Sequence, residues 1–339
     1  MNITTLGIDL AKNVFQVHGA DSKGKTLIKK KLTRSQLLKF IANLPTCKIA
    51  MEACGGANYW ARKFVEYGHE VKLISPQFVK PFVKGNKNDR NDAEAIVEAA
   101  SRPNMRYVSP KTIAQQDLQS LLRLREACLQ MRTKMSNQLR GLLTEYGMVF
   151  PKGMCHLRAE LPSLFDREKD NGLTEGFKEM LEMHYDLLRS LEEKITAYNK
   201  KIVMLAKQNE SCERIQKVEG IGPIAAVAIV STMGNPNDFK NGRHFAAFLG
   251  LVPRQDSSGG RNRLLGITKH GDGYVRQLLV HGARSMLIYA GKKSDKRSLW
   301  VNQLKWRAGA NRTCVAVANK NARIVWALLK NNDDYRQTA

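Results

Sequence analysis

Four carboxylates in the first hundred residues are spaced as the oxygen ligands of a metal-dependent nuclease would be. Asp9 ends the apolar run Leu6-Gly7-Ile8-Asp9-Leu10, where alternation sets it opposite Ile8 and Leu10. Glu52 ends a second apolar run, Ile49-Ala50-Met51-Glu52. Asp89 and Asp92, in Lys87-Asn88-Asp89-Arg90-Asn91-Asp92-Ala93, are three apart and share a face on a helix. Such a quartet can hold two Mg²⁺ ions about 4 Å apart, one activating a nucleophile and the other stabilising the leaving oxygen in phosphoryl transfer. Taken singly, each acid has a plainer role as a strand-end turn residue, a helix cap or a first-turn acid. Only a fold that gathers all four makes them a site.

Two glycine-containing segments lie far downstream. Val218-Glu219-Gly220-Ile221-Gly222-Pro223, followed by the apolar run Ile224–Val230, has the form of a helix-hairpin-helix. Gly220 and Gly222 permit its tight turn and leave backbone N–H groups free for phosphates at the next helix N-terminus. The alternative is a glycine-rich turn between two packed helices. The second segment, Arg254-Gln255-Asp256-Ser257-Ser258-Gly259-Gly260-Arg261, would let a serine hydroxyl approach a phosphodiester closely, although locally it reads as any flexible loop.

The elements that must position these groups fall into three segments. Residues 3–10, 13–20 and 25–32 are short β-rich runs that read as a three-stranded meander. Helical spacing follows in Leu37, Leu38, Ile41 and Leu44, then a strand at 48–53, a helix through 59–67, a strand at 70–75 and helical material over 76–100. That order predicts an α/β unit with a mixed sheet over 1–110, as in the ribonuclease H-like fold and several others. Over 111–212 the period becomes 3.5: Leu121, Cys128, Met135 and Leu142 form one heptad series, and Leu181, Leu188, Ile195 and Ile202 a cleaner one. These predict two long helices, packed as a hairpin or serving as a dimerisation arm. The remainder, 213–339, reads as a helical, folded third unit.

Charge narrows the partners. The 339 residues carry 55 Lys+Arg against 31 Asp+Glu, a net +24 and a pI near 9.9, which points to a polyanion such as nucleic acid. From Arg254 to the end there are 17 Lys+Arg and 5 Asp, so half the net charge sits in a quarter of the chain. No apolar run is long enough for a membrane span, residues 1–20 lack the pattern of a secretory leader, and a cytoplasmic protein is expected. Six cysteines without any C-x-x-C pair predict buried reduced thiols.

The motifs occur together in a recognisable order: Gly-Ile-Asp-Leu-Ala-Lys at 7–12, Met-Glu-Ala-Cys-Gly at 51–55, Lys-Asn-Asp-Arg-Asn-Asp-Ala at 87–93, Gly-Ile-Gly-Pro at 220–223, Phe-Ala-Ala-Phe-Leu-Gly-Leu-Val-Pro-Arg at 245–254 and Ser-Ser-Gly at 257–259. In this combination the chain resembles the DEDD insertion-sequence transposases, which are relatives of the pilin-gene invertases and are now known as bridge-RNA-guided recombinases. The resemblance implies a Holliday-resolvase-like (ribonuclease H-like) domain with catalytic, metal-holding Asp9, Glu52, Asp89 and Asp92. It further implies a coiled-coil arm and a C-terminal transposase domain whose nucleophilic serine falls on Ser258. Mg²⁺, with Mn²⁺ as a substitute, would be the cofactor. DNA at the element ends and target, a structured bridge RNA and further copies of the chain, as dimer or tetramer, would be its partners. Gly220, Gly222, Arg254, Arg261, Arg263 and Lys269 are the candidate nucleic-acid contacts, with the block after Gly260 aligning only loosely.

The chemistry of such a split site is coherent. Carboxylates with metal suit attack by water, which discards the phosphodiester energy; a serine ester conserves it, so that another strand's hydroxyl can rejoin the DNA. The expected function is therefore excision and insertion of a mobile element through a covalent serine–DNA intermediate. Its rivals are a hydrolytic junction endonuclease that uses the quartet alone and a non-enzymatic nucleic-acid-binding protein.

Overall fold

A computed structural model of the chain describes residues 2–84, 89–166 and 171–336, the side chains of Asp89 and Arg90 excepted. The chain divides into two compact units, Met1–Gln116 with Gly234–Lys240, and Asp117–Met233 with Asn241–Ala339.

The first unit runs β1 (Thr5–Asp9), β2 (Val14–Ala20), β3 (Thr26–Thr33), α1 (Arg34–Ala42), β4 (Lys48–Glu52), α2 (Ala57–Glu66), β5 (Glu70–Ile74), α3 (Pro76–Val79), α4 (Asp89–Ala100) and β6 (Tyr107–Val108). The described strands form one sheet in the order β3-β2-β1-β4-β5-β6. β1 pairs antiparallel with β2 and parallel with β4, and β4 pairs parallel with β5. This mixed α/β sheet, with its meander and its later alternation of strand and helix, agrees with the expected order of elements. The helical stretch expected over 76–100 is in pieces: α3 stops at Val79 and a 3₁₀ turn follows at Lys80–Phe82. Pro81 has no N–H with which to continue an α-helical ladder.

Strand alternation gives the sheet two buried faces. On one, Leu6, Ile8, Phe15, Val17, Ile49 and Met51 pack under Leu37 and Ile41 of α1 and Trp60 and Phe64 of α2. Trp60 meets Phe15 edge-on at 5.0 Å and stacks on Phe64 at 5.6 Å; such ring pairs add about 0.5–1.5 kcal/mol each beyond area burial. On the other face lies α4, whose Ala95, Ile96 and Ala99 join Ala50 and Ile74. Small residues on both sides let this helix lie close to the strands.

The second unit is mainly helical: α5 (Ile113–Thr144, its first residues belonging to the first unit), α6 (Met154–Leu164), α7 (Glu175–Lys207), α8 (Glu210–Gln216), α9 (Pro223–Met233), α10 (Gly242–Phe248), the hairpin strands β7 (Pro253–Gln255) and β8 (Leu264–Ile267), then α11 (Gly273–Ala290), α12 (Lys296–Ala308) and α13 (Ala310–Asn331). Leu181, Leu188, Ile195 and Ile202 of α7 are all buried within the unit. Leu181 and Leu188 pack with Met135, Leu139 and Leu143 of α5 and with Leu157 and Leu161 of α6. On α5 the expected seam drifts: Leu121 and Met135 are buried, but Leu142 is 41% exposed and its place is taken by Leu139 and Leu143. A straight helix of 3.6 residues per turn falls about 20° behind a seven-residue repeat with each heptad, which is enough to rotate Leu142 off the seam.

The cysteines are free, but not uniformly buried. Cys47, Cys212 and Cys314 are buried, whereas Cys54 and Cys155 are exposed. No described helix is long and apolar enough to cross a membrane.

Candidate active site

β1 and β4 are parallel neighbours in register Ile8↔Met51, so their terminal residues, Asp9 and Glu52, stand side by side at the C-terminal ends of two central strands. Both are half-buried. The chain needs apolar Leu6, Ile8, Ile49 and Met51 for the opposite face, and alternation then turns both acids toward the face that carries α4.

Gly7 sets the approach of that helix. A Cβ at Gly7 would stand 2.6 Å from the Ala93 carbonyl oxygen, closer than real side chains approach, and 3.1 Å from the Val97 nitrogen. The missing Cβ therefore seats α4 directly on β1, two residues before Asp9, with half-buried Asp92 immediately preceding the contact residue Ala93. Asp89 begins the same helix, and its side chain lies outside the described residues. Sequence reasoning singled out the acids and missed the role of Gly7, although a glycine amid a buried apolar strand is the kind of signal that marks a close backbone approach.

The electrostatics agree with acids facing a common space. Cys54, just past β4, is solvent-exposed as a residue, yet partial burial of its sulfur, then the Glu52 carboxylate, then that of Asp9 push its thiol above its usual range. Hard carboxylate oxygens of this kind fit a divalent cation such as Mg²⁺. Among the described residues no three such side chains close into a metal-holding group.

The serine loop belongs to the second unit. Ser258 and Arg261 form a bridge across the tip of the β7–β8 hairpin, and both are exposed. The two serines differ sharply. Ser257 Oγ accepts hydrogen bonds from Gln255 Nε2 at 3.0 Å and from the Arg263 backbone N–H at 3.2 Å, so it braces the turn. The Ser258 hydroxyl has no hydrogen-bond partner among the described residues and faces solvent. Arg254, Arg261, Arg263 and Lys269 are exposed around the same hairpin. Its base is fastened by Arg276 of α11, whose Nη1 donates to the carbonyls of Leu249 and His270, both at 2.9 Å, one on each leg. Nothing in the sequence distinguished Arg276 from its basic neighbours.

The Gly220 turn joins α8 to α9. Gly220, at φ +86°, packs backbone to backbone against Gly282 of α11, where a Cβ at Gly282 would fall 1.8 Å from the Gly220 carbonyl oxygen. Asn321 Nδ2 donates to the Glu219 carbonyl at 3.0 Å. Gly220 thus serves helix packing, while Gly222 is exposed with open space where a Cβ would lie.

Comparison with known proteins shows the family of the chain. Residues 6–148 match a DEDD transposase model of the IS110 group, and residues 212–298 match the model described as "Transposase IS116/IS110/IS902 family". The transposase for insertion sequence element IS1111A of Coxiella burnetii is 46% identical over 99% of this chain and 92% of its own length. That for IS1328 of Yersinia enterocolitica is 40% identical over 96% of this chain and 97% of its own. A pilin gene-inverting protein of Moraxella bovis is 22% identical over 76% of this chain and 75% of its own. Two identities at or above 40% across nearly the whole chain place it by descent: it belongs to the IS116/IS110/IS902 family of transposases.

Proposed function

We propose that this transposase excises and inserts its insertion sequence by cleaving and exchanging DNA strands through a covalent ester on Ser258, with Asp9, Glu52, Asp89 and Asp92 holding Mg²⁺. The observation that carries the metal half is the β1–β4 pairing, which sets Asp9 beside Glu52, together with the α4 contact at Gly7. The observation that carries the other half is the exposed, unengaged hydroxyl of Ser258 beside a Ser257 committed to the turn.

Residues 1–110 are read as a ribonuclease H-like domain, 111–212 as an arm and 213–339 as the transposase domain. Bound Mg²⁺ would withdraw charge from the scissile phosphate and steady the departing oxygen. The Ser258 oxygen attacks phosphorus as its proton passes to solvent, the P–O bond to the displaced strand breaks, and that strand's oxygen takes a proton from solvent to leave as a hydroxyl. The ester preserves the phosphodiester energy until a hydroxyl of another strand attacks the same phosphorus and releases Ser258. Arg254, Arg261, Arg263 and Lys269 lie where phosphates flanking the serine would be neutralised, and the Gly222 N–H at the start of α9 offers a contact blind to sequence.

Nucleic acid has a broad electrostatic footprint here. Between Lys296 and Asn332 there are eight basic residues and no acid, and Trp306 in that stretch is 91% exposed between Lys305 and Arg307. A guide RNA encoded by the element, and assembly as a dimer or tetramer, belong to the same proposal on the strength of the resemblance.

The test is an excision assay on a plasmid-borne element with Mg²⁺ as the only divalent metal. Asp9→Asn and Glu52→Gln are each expected to lose several orders of magnitude, because members of one metal site fail together. Ser258→Ala should lose strand exchange equally. Full excision by Asp9→Asn would return the chain to a binding role, and hydrolytic cleavage without joining by Ser258→Ala would favour the endonuclease.

A further inference from the structure

The sheet register carries the acid pair into a basic one. Asp9 on β1 is paired with Gln16 on β2, and Gln16 with Lys31 on β3. With Glu52 on the other side of Asp9, the residues Glu52, Asp9, Gln16 and Lys31 form a single row across four strands. Cross-strand partners project from the same face. The neighbouring row on that face is Gly7, His18 and Lys29. α4 covers this second row: Gly7 lies against Ala93, and Lys29 Nζ pairs with Glu94 at 2.8 Å. The first row, with exposed Lys31, stays open to solvent.

A cavity of about 210 Å³ opens at the basic end, with Gln16, His18, Lys29, Lys30, Lys31 and Ala93 among its walls. That is below the roughly 300–1,000 Å³ of pockets that enclose small organic ligands, and suits a compact charged group. His18 is 4% exposed and its Nδ1 has no hydrogen-bond partner. The nearest acid, Glu94, stands 3.7 Å from that nitrogen and is already paired with Lys29. His18 Nε2 shares a hydrogen bond with Thr26 Oγ1 at 3.1 Å. A polar row of this kind has no use in packing, since the core of this face is made by α4 with Ala50 and Ile74.

Resting on the reading of Asp9 and Glu52 as the cleavage site, we infer that Gln16 and Lys31 form a subsite for a backbone phosphate of the DNA strand being cut, so that the strand runs across β2 and β3 as it enters. Strands about 4.8 Å apart place Lys31 roughly 10 Å from Asp9. A duplex strand rises only about 3.4 Å per nucleotide along its axis but its phosphates also wind around that axis, so a through-space distance of roughly 10 Å corresponds to a phosphate one or two positions from the scissile one. Lys31 and Gln16 are positioning residues that fix the strand without reading its bases. Lys39 is the internal control: it is exposed on α1, which packs on the opposite face of the sheet through Leu37 and Ile41.

The experiment measures binding of the full chain to a duplex spanning the junction between the element and its flanking DNA, with single phosphates replaced by neutral methylphosphonates. Lys31→Gln should weaken binding about threefold to tenfold and lower the log K against log salt slope by about one, because one phosphate contact is lost. Lys31→Arg should restore both, and Lys39→Gln should change neither the affinity nor the pattern. In the wild type a methylphosphonate one or two nucleotides from the cut should impair binding, and Lys31→Gln should be indifferent to that position alone. Unchanged affinity and slope in Lys31→Gln, or an unchanged interference pattern, overturns the subsite. The same duplex with Asp9→Asn separates the two layers: if that variant still cleaves, the reading of the acids fails, whatever the interference at Lys31.

Discussion

Gly7 on β1 and Ala93 on α4 touch through their backbones, with room for no side chain between them. Gly7→Ala should push α4 off the sheet, at about 1–3 kcal/mol for overpacking. Because Asp92 precedes Ala93, excision should fall by about 10²-fold, the scale expected when a reacting group moves by 1 Å. Gly19→Ala, on β2, meets only side-chain ends at 3.2–3.4 Å and should retain activity and melting temperature. Thermal melting and the excision assay, run on both variants, check the contrast.

Arg276 should hold the serine hairpin at its base. Arg276→Met removes two charge-assisted hydrogen bonds to Leu249 and His270 and should lose about 1–3 kcal/mol locally. Hydrogen exchange should quicken at the Thr268 and Lys269 amides, which bond to Val252 and Gly250 across the two legs. Strand exchange should drop while the affinity for DNA is kept, and Arg276→Lys should recover part of the loss.

How much of this was legible beforehand follows from what each signal depends on. Alternation in Leu6-Gly7-Ile8-Asp9 and in Ile49-Ala50-Met51-Glu52 is local, so the strands, their order and the strand-end acids could be read from the sequence. The parallel register that puts Asp9 beside Glu52 joins segments some forty residues apart, and no local pattern encodes it. The same holds for the row Asp9, Gln16, Lys31, which exists only once three strands are paired. The close packing of Gly220 on Gly282 is not encoded locally either, because a glycine turn has the same sequence whether it faces solvent or another backbone. On α5 the heptad count failed at Leu142 because a helix packed within a unit keeps its 3.6-residue turn, and only a sustained supercoil holds a strict seven.

The placement of the α7 heptads changes which residues should govern self-association. Leu188 and Ile195 are 1% and 6% exposed within the unit, so Leu188→Glu and Ile195→Glu should destabilise the chain itself. Met180, Met183 and Leu187 are 61%, 75% and 49% exposed and recur at helical spacing on one face of α7. Met183→Glu with Leu187→Glu should leave the melting temperature within about 0.5 kcal/mol of wild type in stability terms, while lowering the mass measured by light scattering. Unchanged mass would leave α7 with no part in assembly.

Acid should loosen the β2–β3 edge of the first unit in two stages. Burial, and then the Lys29 charge, hold His18 below its usual range, against an opposing pull from Glu94. The unfolded chain therefore binds this proton more readily than the folded one, and stability falls as pH drops below about 6.5. The hydrogen bond from Lys29, and its charge, hold Glu94 below its usual range, so that contribution is lost at lower pH, below about 4.5. Hydrogen exchange in β2 and β3, corrected for intrinsic rates, should show protection falling between pH 6.5 and 5, and His18→Phe should flatten that window while leaving the lower one.

The central claim is that strands are exchanged through Ser258, and the most direct measurement is covalent trapping on a nicked element-end duplex, followed by denaturing electrophoresis and peptide mapping. The wild type should give a denaturation-resistant protein–DNA adduct whose linked peptide contains Ser258. Ser257→Ala should retain most of it, and Ser258→Ala should give none while binding DNA normally. An adduct mapped to any other residue, or full strand exchange by Ser258→Ala, would contradict the account.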